Sequence, residues 1–202
     1  MLKCSDLLEA KLGFFISVAS EVQGFLMKFQ AGKPVAPFLY EAMYLMLHSL
    51  MKRFIKHCVL EKNNSTIKLM EVDVTQKCNL LPITDANIGF AARHSLNERK
   101  ASDTVKSNFK KECFSFLQKI TLKLIERNSL RFKLFRGIRC LSPNILISAS
   151  SSSCVQKIEL ALDTFVDCHQ MTAVTADKVK SKFCKFIASP YVKKEMLEFK
   201  YE

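Results

Sequence analysis

Apolar residues recur at helical spacing along most of the chain. The longest such stretch is Pro34–Glu61, PVAPFLYEAMYLMLHSLMKRFIKHCVLE. Leu39, Met43, Met46, Leu47, Leu50, Phe54 and Cys58 fall on one side of it, and Glu41, His48, Lys52 and Lys56 on the other. Pro37 suits a first helical turn, where the N–H that proline lacks has no intrahelical partner anyway. The pattern predicts one helix, on the order of 35 Å long at 1.5 Å per residue. Its apolar stripe has to be covered by other helices to leave water. It does not read as a membrane span, because the longest uncharged run, Ala42–Met51, is about half of the ~20 residues a bilayer requires.

The same spacing predicts a preceding helix over Asp6–Phe29, with Ser5 as N-cap, Asp6 and Glu9 in the favourable first turn, and Leu8, Leu12, Phe15, Ala19, Val22 and Leu26 as its buried face. Leu12–Ser20 has the apolar character of a signal-peptide core. However, Asp6 and Glu9 occupy the region that should be positive, and helix spacing explains the same residues. Gln30–Lys33 is the connecting turn, with Gly32 as stop signal, so the two helices are expected to form an antiparallel hairpin.

Asn63, Asn64 and Ser65 break the pattern, and Ile67–Val74 reads as either a short strand or one more helical turn. Pro82 and Asp85 mark irregular chain before a helix over Ala86–Arg99. Ser102 then caps a further helix that buries Val105, Phe109, Cys113, Phe116, Ile120 and Leu124 and ends near Asn128. Ser129–Pro143 is a less regular connection, and the serines of Ser148–Ser153 read as a loop. Val155, Ile158, Leu162, Phe165 and Val166 mark the next helix. Another follows, capped by Thr175, with Val179, Phe183, Phe186 and Ile187 on its apolar face. Ser189–Pro190 opens a last short one. The expected fold is therefore all-α: a bundle-like domain with antiparallel helical hairpins and at most one short strand pair. It spans residues 1–202 as a single domain, with a sub-boundary placed in the loop 140–153. Five glycines, five prolines and no tryptophan agree with helices better than with a turn-rich β-sandwich.

Composition alters this picture in two respects. The eight cysteines never form C-x-x-C, and Cys58, Cys113 and Cys184 fall within apolar helical faces. They read as reduced thiols of a nuclear or cytoplasmic protein. The formal net charge is +12, from 31 basic and 19 acidic residues, which attracts polyanions and is screened by salt. The charge is densest over Arg127–Arg139, RNSLRFKLFRGIR, where Arg127, Arg131, Lys133, Arg136 and Arg139 have no acidic neighbour. Leu130, Phe132, Leu134, Phe135 and Ile138 interleave with them as anchors. Arginine forks match phosphate oxygens, so these five are the candidate nucleic-acid contacts, expected to be insensitive to sequence. A second cluster is Lys178, Lys180, Lys182 and Lys185.

No other chemistry is legible. Cys168–His169 and His57–Cys58 lack a second ligand pair at metal-site spacing, and there is no G-x-S-x-G or Gly-rich phosphate loop. Asp163 and Asp167 stand one helical turn apart and read as solvated surface. No catalytic residue, metal, cofactor or small-molecule substrate is implied. The expected partners are nucleic acid, bound non-specifically, and further copies of the chain meeting through apolar helix faces.

PVAPFLYEAMYLMLHSLMKRFIK, LLPITDANIGFAA, ASDTVKSNFKKECFSFLQKI and CLSP, in that order, resemble landmarks of hAT-type transposase-like proteins, including the transposon-derived zinc finger MYM-type group. That resemblance implies a large helical domain inserted into an RNase H-like core whose acidic residues carry out metal-dependent DNA strand transfer. The chain resembles the insertion. The acidic residues of the core have no counterpart in it, so the resemblance implies a helical, non-catalytic remnant.

Overall fold

The structure, a computed structural model, describes residues 7–30 and 35–199. Eleven α-helices and no strand are present among them. Ser5 and Gly32, expected as cap and stop signal, lie outside the described residues, as does Cys4. The helices are α1 Leu8–Gln30, α2 Ala36–Lys52, α3 His57–Lys62, α4 Thr66–Glu71, α5 Phe90–Glu98, α6 Asp103–Arg127, α7 Lys133–Ile138, α8 Pro143–Ser148, α9 Ser151–Asp167, α10 Ala173–Ala188 and α11 Pro190–Glu198. They form two compact units. The first takes 1–31 and 43–128, and the second takes 32–42 and 129–202. The division falls after Asn128, ahead of residues 140–153, which were expected as a loop but hold α8 and lie inside the second unit.

In the first unit, the long helix expected over Pro34–Glu61 is interrupted. α2 stops at Lys52 and is about 26 Å long. Arg53, Phe54 and Ile55 are buried in a turn. There the carbonyls of Arg53 and Phe54 accept from Asn87 N and Leu81 N, both at 2.9 Å, and Lys56 N donates to Asn79 O at 2.9 Å. A single bridge joins Ile55 to Leu80. The segment 79–87 thus supplies hydrogen bonds that a continuing helix would have made internally, so a break costs little. Met43, Met46, Leu47, Leu50 and Phe54 are buried as expected, whereas Cys58, displaced by the break, is exposed. Ser65 caps α4, so Ile67–Val74 opens as a helical turn rather than a strand.

α1 packs on α5 rather than lying along α2 as the other half of a hairpin. Its buried residues are Ala10, Gly13, Phe14 and Val18. At Gly13 an added Cβ would lie 2.9 Å from Ala92 N and 3.0 Å from Ala91 Cβ, so the two backbones approach as only glycine permits. The face expected to be buried is the other one: Leu8, Leu12, Phe15, Ala19 and Leu26 are exposed and Val22 is half-buried. Gly13 admits the close approach of α5, and Ala10, Phe14 and Val18 on the same side are buried with it. α5 begins at Phe90, later than expected, after Gly89 turns the chain with φ 86°.

α6 starts as predicted, with Ser102 Oγ accepting from Val105 N at 3.4 Å. Phe109 and Cys113 are buried as expected, but the stripe continues through Leu117, Thr121 and Ile125, leaving Phe116, Ile120 and Leu124 half-buried. Phe114, on the adjoining flank, meets Phe54 edge-on at 5.7 Å. Burial pushes the Cys113 thiol up to about 12, so it acts as a small hydrophobe.

The second unit is built on α9. α7 crosses it, and α10 returns along it after a five-residue link, an antiparallel hairpin. Cys140, Leu146, Cys154, Ile158, Leu162, Phe183 and Ile187 form the core. Three local expectations change here. The serine-rich loop shrinks to Ala149–Ser150, because Ser150 caps α9 by accepting from Ser153 N. Thr172, not Thr175, caps α10; it accepts from Thr175 N at 3.2 Å. Phe186 is exposed. α7 passes α9 at Gly137, where a Cβ would come within 2.7 Å of both Ala161 N and Lys157 O. These are backbone atoms and cannot give way. Gly137→Ala is therefore expected to cost about 2–3 kcal/mol, more than the roughly 1 kcal/mol that a helix gains from Ala over Gly. Thermal melting of the full chain reads this. A variant as stable as wild type would show that the α7–α9 crossing is looser than described.

Candidate nucleic-acid interface

The basic segment spans the boundary between the units. Arg127 is the last residue of α6 and belongs to the first, whereas Arg131, Lys133, Arg136 and Arg139 belong to the second. Leu130, fully buried, anchors the single 3-10 turn Ser129–Arg131 that leads into α7. Arg131 and Lys133 are exposed, as a phosphate contact requires. Phe132 between them is exposed as well and anchors nothing, contrary to expectation.

Arg136 and Arg139 are differently placed. Both are half-buried, and the Nε of Arg136 lies in the interior without a hydrogen-bond partner. The guanidinium of Arg139 lies 4.4 Å from the ring centroid of Tyr40, a buried residue from the first turns of α2, in cation–π geometry. This seat was invisible in the sequence, because nothing local connects positions 40 and 139. Only part of each guanidinium remains available, so the two arginines are stem-packed members of the surface rather than free forks.

On α10 the four lysines separate. Lys180 turns to Glu159 of α9 and forms an ion pair that raises its pKa. Lys178, Lys182 and Lys185 lie within one face of the helix, are exposed, and form no ion pair among the described residues. They are the clearer basic stripe.

Elsewhere, the first unit carries an exposed cluster that pattern reading missed. Phe90 protrudes at the start of α5, stacked on His94 at 5.6 Å with the Arg93 guanidinium 5.5 Å from its centroid. It borders a pocket of about 480 Å³ lined by Thr84, Asp85, Asn87, Gly89, Arg93 and Lys110. Lys110 Nζ donates to the Thr84 carbonyl, and Asp85 sets an opposite charge in the same wall, so the pocket shows no single charge preference. Asp163 and Asp167 are both exposed, and no group of three or more His, Cys, Asp or Glu could hold a metal among the described residues. α1 is long and apolar enough to cross a membrane by length and composition, yet it carries Glu21 into a partly buried pair with Arg53.

No family model, curated protein or solved structure matches the chain.

Proposed function

We propose that the chain is a non-catalytic helical scaffold, a remnant of a hAT-type transposase-like protein, that touches nucleic acid weakly and without reading its sequence. The observation that supports this is the set of exposed cations of the second unit: Arg131 and Lys133 at the entry to α7, and Lys178, Lys182 and Lys185 on one face of α10. Side chains of this kind position a phosphate backbone and carry no base code. Arg136 and Arg139 contribute charge from fixed seats, and Arg127 lies outside the unit. No strand-transfer chemistry is part of the reading, because the acidic residues that the resemblance associates with it have no counterpart in this sequence.

Binding to duplex DNA is expected with a dissociation constant of roughly 10⁻⁴ to 10⁻⁶ M at physiological salt. Replacing Arg131, Lys133, Lys178, Lys182 and Lys185 together by glutamine should weaken it equally for unrelated sequences. It should also flatten the log–log salt slope by about 0.9 for each phosphate that the variant no longer neutralises. Fluorescence anisotropy across a salt series measures both, with a melting curve alongside. A folded quintuple variant with unchanged affinity and slope would place the binding surface elsewhere.

A second reading is favoured by a different observation, the uncovered apolar face of α1: a module that associates through helix faces.

A further inference from the structure

We propose that a concavity of the first unit, between α6 and the loop 74–83, is a binding site for a small organic anion with an apolar body. Its volume is about 700 Å³, within the roughly 300–1,000 Å³ of ligand pockets. Lys56, Lys77 and Lys111 line it, and no carboxylate does. None of the three lysines forms an ion pair among the described residues. The pocket beside Phe90, by contrast, sets Asp85 against Arg93 and Lys110. Leu80, Leu81, Ile83 and Phe114 give the lysine-lined site an apolar floor.

The walls are held in place by the fold itself. Leu81 N donates to the Phe54 carbonyl and Lys56 N to the Asn79 carbonyl, both at 2.9 Å, which pins the loop to the turn after α2. Gln118 Nε2 donates to the Val74 carbonyl at 2.9 Å and ties α6 to the same loop. Lys56 Nζ donates to the Cys78 carbonyl at 2.8 Å, so one cation has a fixed seat. Acids close by in sequence are directed elsewhere. Asp73 accepts from Thr75 N and Oγ1 at 2.8 and 2.6 Å, and Glu112 lines a different hollow with Lys11, Phe15 and Phe116. A preformed site of this kind spares a ligand the cost of ordering it.

Charge and surface together select the ligand class. Lysine presents a point charge that suits a carboxylate, sulfonate or phosphate group. The floor contributes only when hydrocarbon covers it. Inorganic phosphate would leave the floor wet, and an uncharged hydrocarbon would leave the lysines unused. A second copy of the chain, at net charge +12, brings the wrong sign, as does the second unit, where basic residues outnumber acidic ones.

Fluorescence titration of the full chain with anilinonaphthalene sulfonate tests this, with N-phenylnaphthylamine as the same apolar body without the charge. The sulfonate should bind with a dissociation constant on the order of 10⁻⁵ M, which is ordinary efficiency per atom for a ligand of that size. The neutral dye should bind at least about tenfold more weakly. Lys77→Gln with Lys111→Gln, both exposed positions, should weaken the sulfonate about tenfold or more and leave the neutral dye and the melting curve unchanged. Lys62→Gln with Lys68→Gln removes the same charge from exposed positions of α3 and α4 outside the pocket and should change neither dye. Ile83→Ser should weaken both dyes about fivefold. Dye held on the exposed face of α1 does not depend on Lys77 and Lys111, so the difference between variant and wild type reports the pocket. Sulfonate binding that is unchanged in the Lys77 and Lys111 variant, or that falls equally in the Lys62 and Lys68 variant, would overturn the site. A neutral dye bound as tightly as the sulfonate would make the pocket merely apolar and overturn it too. Displacement of the sulfonate by duplex DNA would assign these lysines to a nucleic-acid surface, with the same consequence.

Discussion

Leu50→Asp is expected to abolish the cooperative melting of the first unit. Leu50 has no exposed surface at all and sits among Leu47, Met51 and Phe54, which are almost equally enclosed. The introduced carboxylate must either stay charged without solvent or take up a proton at the expense of its ordinary ionisation. Either way the loss exceeds about 4–5 kcal/mol, comparable with the whole stability of a small domain. Leu50→Ala, which leaves only a cavity, should cost about 2–5 kcal/mol. The control is Leu45→Asp, on the same helix but exposed, for which about 1 kcal/mol or less is expected from helix propensity alone. Thermal melts followed by circular dichroism separate the three. If Leu50→Asp and Leu45→Asp melt together, the interior of α2 is not where it has been placed.

Arg53→Met should destabilise the same unit by about 3–5 kcal/mol. Arg53 is buried where α2 ends. Its Nε and Nη2 donate to Glu21 Oε1 at 2.8 and 2.6 Å, and Nη2 also donates to the Ser17 carbonyl and Oγ at 2.8 and 2.7 Å. One side chain therefore ties α1 to the turn after α2. Methionine matches its length and restores none of these bonds, leaving the Glu21 carboxylate and a carbonyl without their donor. The pair is not perfectly satisfied even in wild type: Arg53 Nη1 and Glu21 Oε2 are buried with no partner. For that reason the double replacement Arg53→Met with Glu21→Met should recover much of the loss, since it removes both charges together. A double variant no more stable than Arg53→Met would show that the bonds to Ser17, rather than the ion pair, hold this junction.

Periodicity alone determined that the protein is all-α, and with it most helix locations. The Ser102 cap, the Asn63–Ser65 break and Pro190 at the start of α11 were legible because capping and proline chemistry act within a single turn of chain. The charge of the basic segment was legible for a similar reason, since composition needs no geometry. What the tertiary structure decided is which of several competing faces each helix buries. α1 carries a continuous row of mostly large apolar residues and a second, mixed row that contains Gly13. Pattern reading selects the first, but the second is the one buried, because Gly13 admits the backbone of α5 and a leucine there would not. The long helix breaks after Lys52 because residues 79–87, remote in sequence, offer hydrogen bonds to its carbonyls, and no local signal announces a distant donor. Arg136 and Arg139 differ from Arg131 and Lys133 only through neighbours such as Tyr40, nearly a hundred residues away. Long-range packing chooses among locally equivalent alternatives, and that choice is made by shape and by unsatisfied backbone groups that the sequence records only in pieces.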